Sequence, residues 1–424
     1  MPVASAAAWQ EVAVARQQVE PLWRELDEVV RFNQARVLEA FWRAGVSQDM
    51  LGGSTGYGYD DAGREALEAV YASYFQAEAA LVRPQLVSGT HALACALYGL
   101  LRPGDELVTV GRPYDTLATL IGLGPGDHAG TLIDSGVRYR EVPWDSPQPV
   151  DVDAVLRQLS SSTRVLFLQR SRGYSRRPSL NIEAMAELIA AARQRAPQVK
   201  VVVDNCYGEF VETREPSMVG ADLVAGSLIK NPGGGLAVTG GYIVGRQECV
   251  EAAARRLFAP GLGREVGPLL DLARSLFQGF FLAPHIVGEA VRGALLAAAF
   301  FAARGWPVAP GPQERRTDLI QTIDFPDAAS LLTAARVLQA ASPVDSQAIP
   351  EPAPLPGYPD PVVMAAGTFV QGASLELSAD APLRPPFTLY WQGGLTREHV
   401  EVALARMAAS LPGHNPGHNN EMPG

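Results

Sequence analysis

Apolar and polar positions along this chain follow two different periods in separate blocks. From about Trp9 to Phe41 apolar residues recur at helical spacing, with Val19, Leu22, Leu26, Val29 and Val30 set among charges, so the spacing predicts a long helix. A glycine-rich stretch, Gly52-Gly53-Ser54-Thr55-Gly56-Tyr57-Gly58-Tyr59, leads to a second amphipathic helix near Arg64–Phe75. Between about Ala79 and Leu257 short apolar runs alternate with helical segments. The predicted strands are Ala80–Val87, Glu106–Val110, Tyr139–Pro143, Val165–Gln169, Val199–Asp204, Leu223–Ser227 and Gly241–Val244. Helices are predicted at Thr90–Leu101, Val152–Leu159 and Ile182–Arg195, the last capped by Asn181.

That alternation implies βαβ units and a mostly parallel seven-stranded sheet buried on both faces by helices, an α/β fold. Such sheets bind ligands beyond the carboxyl ends of their strands, so polar residues just after each apolar run are the first to inspect.

Beyond Pro284 the pattern changes. An Ala-rich helix (Ile286–Arg304) precedes a strand (Asp318–Phe325) and a helix (Asp327–Ala341). A Pro-rich loop over Pro343–Pro361 leads to two further strands, Val362–Phe369 and Ser374–Leu377, and a last helix, Arg397–Leu411. The organisation expected is a helical arm over residues 1–56, a large domain over 57–284, a smaller α+β domain over 285–412 and a flexible tail over 413–424.

Composition narrows the function classes. The 424 residues carry 35 Lys+Arg against 45 Asp+Glu, a net charge of −10, which disfavours nucleic acid or an anionic membrane as partner. Hydrophobic residues make up 47%, enough for a sizeable core and too many for a disordered chain. Cys95, Cys206 and Cys249 are odd in number and lack CxxC spacing, so neither a disulfide framework nor a zinc ribbon is indicated. The N-terminus lacks the basic and apolar regions of a signal peptide. The longest apolar run, Ala294 to Ala303, is too short to span a bilayer. A cytoplasmic enzyme is the default expectation.

Only two lysines occur, Lys200 and Lys230. Lys230 follows the apolar strand Leu223–Ser227 and opens the turn Asn231-Pro232-Gly233-Gly234-Gly235. A lysine there is costly to desolvate unless its amine is bonded or neutralised, and a Schiff base with a carbonyl cofactor does the latter; a surface lysine at a strand end is the plainer alternative. Asp204 ends the strand before it, where a carboxylate could pair with a pyridinium nitrogen or merely cap a turn. Ser88-Gly89-Thr90 lies between a strand and a helix and could cradle a phosphate, or simply supply an N-cap. Tyr114, after the next strand, could stack on a cofactor ring or be an ordinary core tyrosine.

Other features carry less. Gly52-Gly53-Ser54-Thr55-Gly56 fits GxSxG, but no apolar strand precedes it and no helix begins at the serine. No GxGxxG follows the first strand and no Walker A motif occurs, which disfavours a dinucleotide-binding enzyme. His414 and His418 sit in the Pro/Gly/Asn-rich tail, better read as a mobile end than as a metal site. Arg170, Arg172, Arg176 and Arg177 cluster after a strand, as a solvated surface, a subunit contact or an anion site.

Taken together, these residues resemble a fold-type I pyridoxal-phosphate enzyme, and more narrowly the aluminium-resistance or methionine gamma-lyase-like branch of the Cys/Met-metabolism family. TGYGYDDAGRE, LIKNPGGGLAVTGGYIVG, SPVDS and AAGTFVQGASLELSADAPLRPP carry the resemblance, which covers about residues 20 to 412. It implies that Lys230 is the Schiff-base lysine, that Asp204 faces the pyridine nitrogen, and that Ser88, Gly89, Thr90 and Ser227 hold the phosphate of pyridoxal 5'-phosphate. It also implies that Tyr114 stacks on the ring and that Tyr59 and Arg64 reach the cofactor phosphate of a neighbouring subunit, in a homodimer or homotetramer. Arg384 is the candidate for the substrate carboxylate, and no metal is implied.

Two segments depart from the family pattern: Gln169-Arg170-Ser171-Arg172-Gly173-Tyr174 replaces a Glu-x-Pro-x-Asn type, and Ser227-Leu228-Ile229-Lys230 lacks one hydroxyl of Ser-x-Thr-Lys. The activity implied is elimination of a thiol from a sulfur-containing amino acid, giving a keto acid and ammonia. Transamination or decarboxylation by the same cofactor, and a non-catalytic metal-stress tolerance role, stand as alternatives.

Overall fold

Runs such as Val201-Val202-Val203 and Val165-Leu166-Phe167-Leu168 are β-branched or bulky at every position, and the computed structural model buries all of them. It describes residues 4–124, 127–355, 358–411 and 413. These divide into two compact units, Val29–His285 and the combination of Met1–Glu28 with Ile286–Gly424.

In chain order, Val29–His285 holds the C-terminal part of helix α1 (Ala6–Ala44), then α2 (Ala62–Phe75), β1 (Ala79–Arg83), α3 (Gly89–Leu100), β2 (Glu106–Val110), α4 (Asp115–Ile121) and β3 (Arg138–Val142). Helix α5 (Val152–Gln158), β4 (Thr163–Gln169), α6 (Ile182–Arg195), β5 (Lys200–Asp204), β6 (Leu223–Ser227), β7 (Gly241–Gly245), α7 (Gln247–Leu257) and the start of α8 (Ala273–Ala303) follow. The strands form one seven-stranded sheet in the order β1-β7-β6-β5-β4-β2-β3. Its pairs from β6 through to β3 are parallel, and only β7 runs against its two neighbours. The mostly parallel α/β sheet expected from the sequence is therefore present.

Successive residues of each strand face opposite layers. On one face Leu81, Val165, Val202, Leu223 and Ile243 pack with Ala92, Leu93 and Ala96 of α3 and Val250 and Ala253 of α7. A Cβ on Gly99 would lie 2.8 Å from the backbone of Ala252, so this glycine sets how closely α3 and α7 approach. On the other face Tyr242 joins an aromatic group with Tyr71, Phe75 and Phe280. Local capping agrees with the chain: Asn181 accepts from the Ala184 amide at 2.8 Å to start α6, and Asp61 does the same for α2.

Helix α8 begins thirteen residues before the predicted Ile286 and runs through Pro284. The buried Leu276, Phe277, Phe280 and Ala283 offset the hydrogen bond that proline forfeits. By length and composition this helix could cross a bilayer, but 83% of its most apolar window is buried inside the protein, as in a core helix.

In the other unit, β8 (Val308–Ala309), β9 (Gln321–Asp324), β10 (Val362–Ala365), β11 (Ser378–Pro382) and β12 (Thr388–Gln392) form an antiparallel sheet in the order β10-β11-β12-β9-β8. Helices α9 (Ala328–Ala341) and α10 (Arg397–Ser410) accompany it. The strand predicted at Ser374–Leu377 lies four residues further on. Ser374–Leu377 instead form a buried loop in which the Glu376 carboxylate accepts from the Phe369 and Val370 amides. The tail from residue 414 onward, with His414 and His418, lies outside the described residues.

Candidate active site

Register brings the strand ends of the large sheet into line. Arg83, Gly241 and Ser227 are paired across β1, β7 and β6, and Gln169, Asp204 and Ala225 across β4, β5 and β6. Because β1 runs in the same direction as β4, β5 and β6, their carboxyl ends share one edge. Each of these strands is followed by polar residues, and those residues meet there.

Lys230 stands three residues past β6. Its Nζ donates to the Tyr207 hydroxyl at 3.0 Å and lies 4.2 Å from the centre of that ring. Asp204, the last residue of β5, is buried and accepts from the Cys206 amide at 3.1 Å. Burial pushes its carboxyl above the ordinary range, while hydrogen bonds from Cys206 and the charges of Lys230 and Arg177 pull it back. A cationic group beside Asp204 would relieve that cost.

Ser88 caps α3, its hydroxyl accepting from the His91 amide at 3.1 Å. Gly89 is pressed against the strand ends: a Cβ there would lie 3.2 Å from Cβ of Ser227 and 3.3 Å from Sγ of Cys206. The small residues thus let the start of α3 sit directly on β6, with the positive end of the helix dipole at the site. The Thr90 hydroxyl is 2.8 Å from that of Tyr114, and the Tyr114 amide donates to Oε1 of Gln169 at 3.0 Å. Burial, and then the negative charge of Asp204, push the Tyr114 phenol well above its usual value, so it remains protonated at neutral pH.

Seven of the residues singled out in the sequence therefore form one connected group: Ser88, Gly89, Thr90, Tyr114, Asp204, Ser227 and Lys230. Tyr59 and Arg64 lie in a different cluster. Tyr59 is 59% exposed and stacks on Tyr57 at 5.5 Å. Arg64 is buried, donates to the Gly58 and Gly267 carbonyls and lies 3.5 Å from the Glu65 carboxylate. Arg384 follows β11 in the other unit, paired with Asp360 at 2.9 Å and partly exposed.

Three members of the four-arginine cluster depart from the solvated surface considered above, while Arg176 is exposed. Arg170, Arg172 and Arg177 are buried. Arg170 bonds Glu212 and the Asn205 side chain, both at 2.7 Å, and pairs with Glu215 at 3.4 Å. Arg177 donates to the Gln169 carbonyl at 3.0 Å and stacks over Trp144. The Glu212, Glu215 and Asn205 partners of Arg170 are distant in sequence, so only the fold brings them together, whereas the Gln169 carbonyl is local to Arg177.

Sequence reasoning missed Tyr207, Cys206 and Gln169. The signal was available, since all three end or directly follow an apolar run at the sheet's carboxyl edge. Asp204 and Lys230 drew attention as charged groups, whereas a tyrosine and a cysteine read as core.

The chain is similar to several known proteins over nearly its whole length. The profile of the family described as methionine gamma-lyase matches residues 9–411. The uncharacterized protein YnbB of Bacillus subtilis (strain 168) is 48% identical over 389 residues, 92% of each chain. A crystal structure from Listeria monocytogenes str. 4b F2365, provisionally named a cystathionine beta-lyase involved in aluminium resistance, superposes with a TM-score of 0.92 at 48% identity, covering 95% of this chain and 99% of that one. A carbon-sulfur lyase involved in aluminium resistance from Clostridium novyi NT gives 0.91 at 41%, covering 96% of each chain.

Proposed function

The chain belongs to the methionine gamma-lyase family, and from that premise we propose that it is a pyridoxal-phosphate-dependent carbon–sulfur lyase acting on a sulfur-containing amino acid. With one water consumed, the reaction releases a thiol, a keto acid and ammonium. The observation that carries the reading is the meeting of one amine, one buried carboxylate and one glycine-opened helix start on a single sheet edge.

These residues fit the cofactor by their chemistry. Gly89 leaves room where a Cβ would press on Ser227, so the amides that open α3 can face a phosphate, with the Ser88, Thr90 and Ser227 hydroxyls close by. Asp204 is a buried carboxylate whose burial cost a pyridinium proton would offset. Lys230 supplies the amine. When bound, pyridoxal phosphate supplies an electron sink for the bonds at the amino acid's Cα.

The chain's own groups then divide the proton work. Asp204 holds a proton at the ring nitrogen. The neutral Lys230 amine takes the proton from Cα. Tyr114, protonated throughout the neutral range, would donate to the leaving sulfur and offer its ring for stacking. We assign the substrate carboxylate to Arg384, and Tyr59 with Arg64 to the site of a second copy in a homodimer or homotetramer. The exposed Tyr57–Tyr59 pair supports that assignment.

Purified protein tests the reading. A visible absorption band bleached by borohydride and lost in Lys230→Ala, with thiol, keto acid and ammonia released together from one member of a panel of sulfur amino acids, is the expected result. Keto acid without thiol identifies an aminotransferase, and full turnover in Lys230→Ala overturns the assignment.

A further inference from the structure

We infer that Tyr207 is the positioning residue for Lys230, holding its amine in one place whether it is charged or neutral. This rests on the role proposed for Lys230 and adds to it a partner that neither the sequence motifs nor the family pattern names.

Three observations support it. Tyr207 meets the same amine twice, with its hydroxyl at 3.0 Å and its ring centre at 4.2 Å. Both contacts favour an ammonium over a neutral amine. Second, Tyr207 has φ of +74°, a left-handed conformation uncommon for a bulky aromatic residue, and such strain persists where the surroundings impose it.

Third, those surroundings are visible. The Asn205 amide donates to the Ala225 carbonyl at 3.0 Å, and the Gly208 amide to the Asn205 carbonyl at 2.9 Å. A Cβ on Gly208 would lie 2.4 Å from Cδ of Arg170, so the buried guanidinium side chain presses on the turn. Asn231, the neighbour of Lys230, donates from Nδ2 to the Glu209 carbonyl at 2.9 Å. The turn bearing Tyr207 and the loop bearing Lys230 are therefore tied on both sides of the contact.

The chemistry gives the contact a use. An ammonium donates to the phenol oxygen, and a neutral amine can instead accept from the phenol O–H. A lysine that alternates between bonded and free states during turnover therefore keeps a fixed neighbour, and its proton has a defined starting point. Asp204 and Cys206 also feel the charge of Lys230, and Tyr207 acts alongside them.

The two-lysine composition makes the test clean. Full-length protein, freed of carbonyl compounds with hydroxylamine, is reductively methylated with formaldehyde and cyanoborohydride at several pH values. Peptide mass spectrometry then gives the ratio of labelling at Lys230 to that at Lys200, the internal control. Tyr207→Phe, which keeps the ring, is expected to raise the ratio about 3- to 10-fold near neutral pH and move its profile to lower pH, because losing a hydrogen bond to a charged group frees more neutral amine. Tyr207→Leu, which also removes the ring face, should raise it further. An unchanged ratio in both variants, with Lys200 labelling as in wild type, overturns the inference. The readout needs no bound cofactor. Absence of a borohydride-sensitive band in untreated wild-type protein would therefore sink the lyase reading and leave this result standing.

Discussion

The hydroxyls of Thr90 and Tyr114 lie 2.8 Å apart and join the first turn of α3 to the residue that opens α4. One contact thereby couples the candidate phosphate turn to the candidate ring-stacking and acid residue. Tyr114→Phe keeps the ring and removes the proton. A decrease in kcat of about 100-fold is expected, the lower end of what a positioned acid contributes. Because the wild-type phenol is held well above 10, its ionisation should not appear in the pH–rate profile below about pH 10, which steady-state assays from pH 6 to 10 check.

Gly89→Ala introduces a methyl group 3.2 Å from Cβ of Ser227 and 3.3 Å from Cys206. Ser227 ends β6 and Cys206 lies in the turn just after β5, both buried, so neither can retreat freely. Affinity for pyridoxal phosphate, titrated by absorbance, should weaken roughly 10-fold, about 1.4 kcal/mol. Unchanged affinity would show that the start of α3 does not contact the phosphate.

Arg170 faces two carboxylates, those of Glu212 and Glu215, with no exposure to solvent. Arg170→Met fills much of the same volume but removes the cation. Breaking a buried pair from one side costs about 3–5 kcal/mol, so the urea midpoint should fall accordingly. The turn carrying Tyr207 rests on Arg170, and activity should fall along with stability.

Glu209 is buried beside Tyr242, and its carboxyl is pushed up to about 8, burial being the main cause. The folded state thus keeps a proton that the unfolded chain releases near its ordinary value of 4.5. Between those two values the folded protein binds more protons, so this group makes stability fall as pH rises, and the loss levels off above about 8. Glu209→Gln keeps the acceptor for the Tyr242 hydroxyl and has nothing to ionise. Its stability advantage over wild type should be small near pH 4.5 and grow steadily towards pH 8, as read by denaturant titrations at several pH values. A constant difference would refute the assignment.

Strand and helix placement was largely legible in the sequence because it depends on local physics. Glu106–Val110, Leu223–Ser227 and Ile182–Arg195 with its Asn181 cap appear in the structure at the residues the pattern predicts. Errors arose where burial overrode local signals. Pro284 read as a helix boundary, yet α8 continues through it, and Thr388–Gln392 was hidden behind Pro385-Pro386.

The sequence by itself determined the alternation that builds the parallel sheet, and it marked Asp204 and Lys230 as the charged residues at its strand ends. Both follow from side-chain type and spacing along one stretch of chain. Only the tertiary structure decided that Tyr207 touches Lys230, that Thr90 bonds Tyr114, and that Arg170 lies inside the protein among carboxylates. Each of those contacts joins segments that are separate along the chain, through strand register and backbone turns, and hydrophobic periodicity carries no information about such pairings.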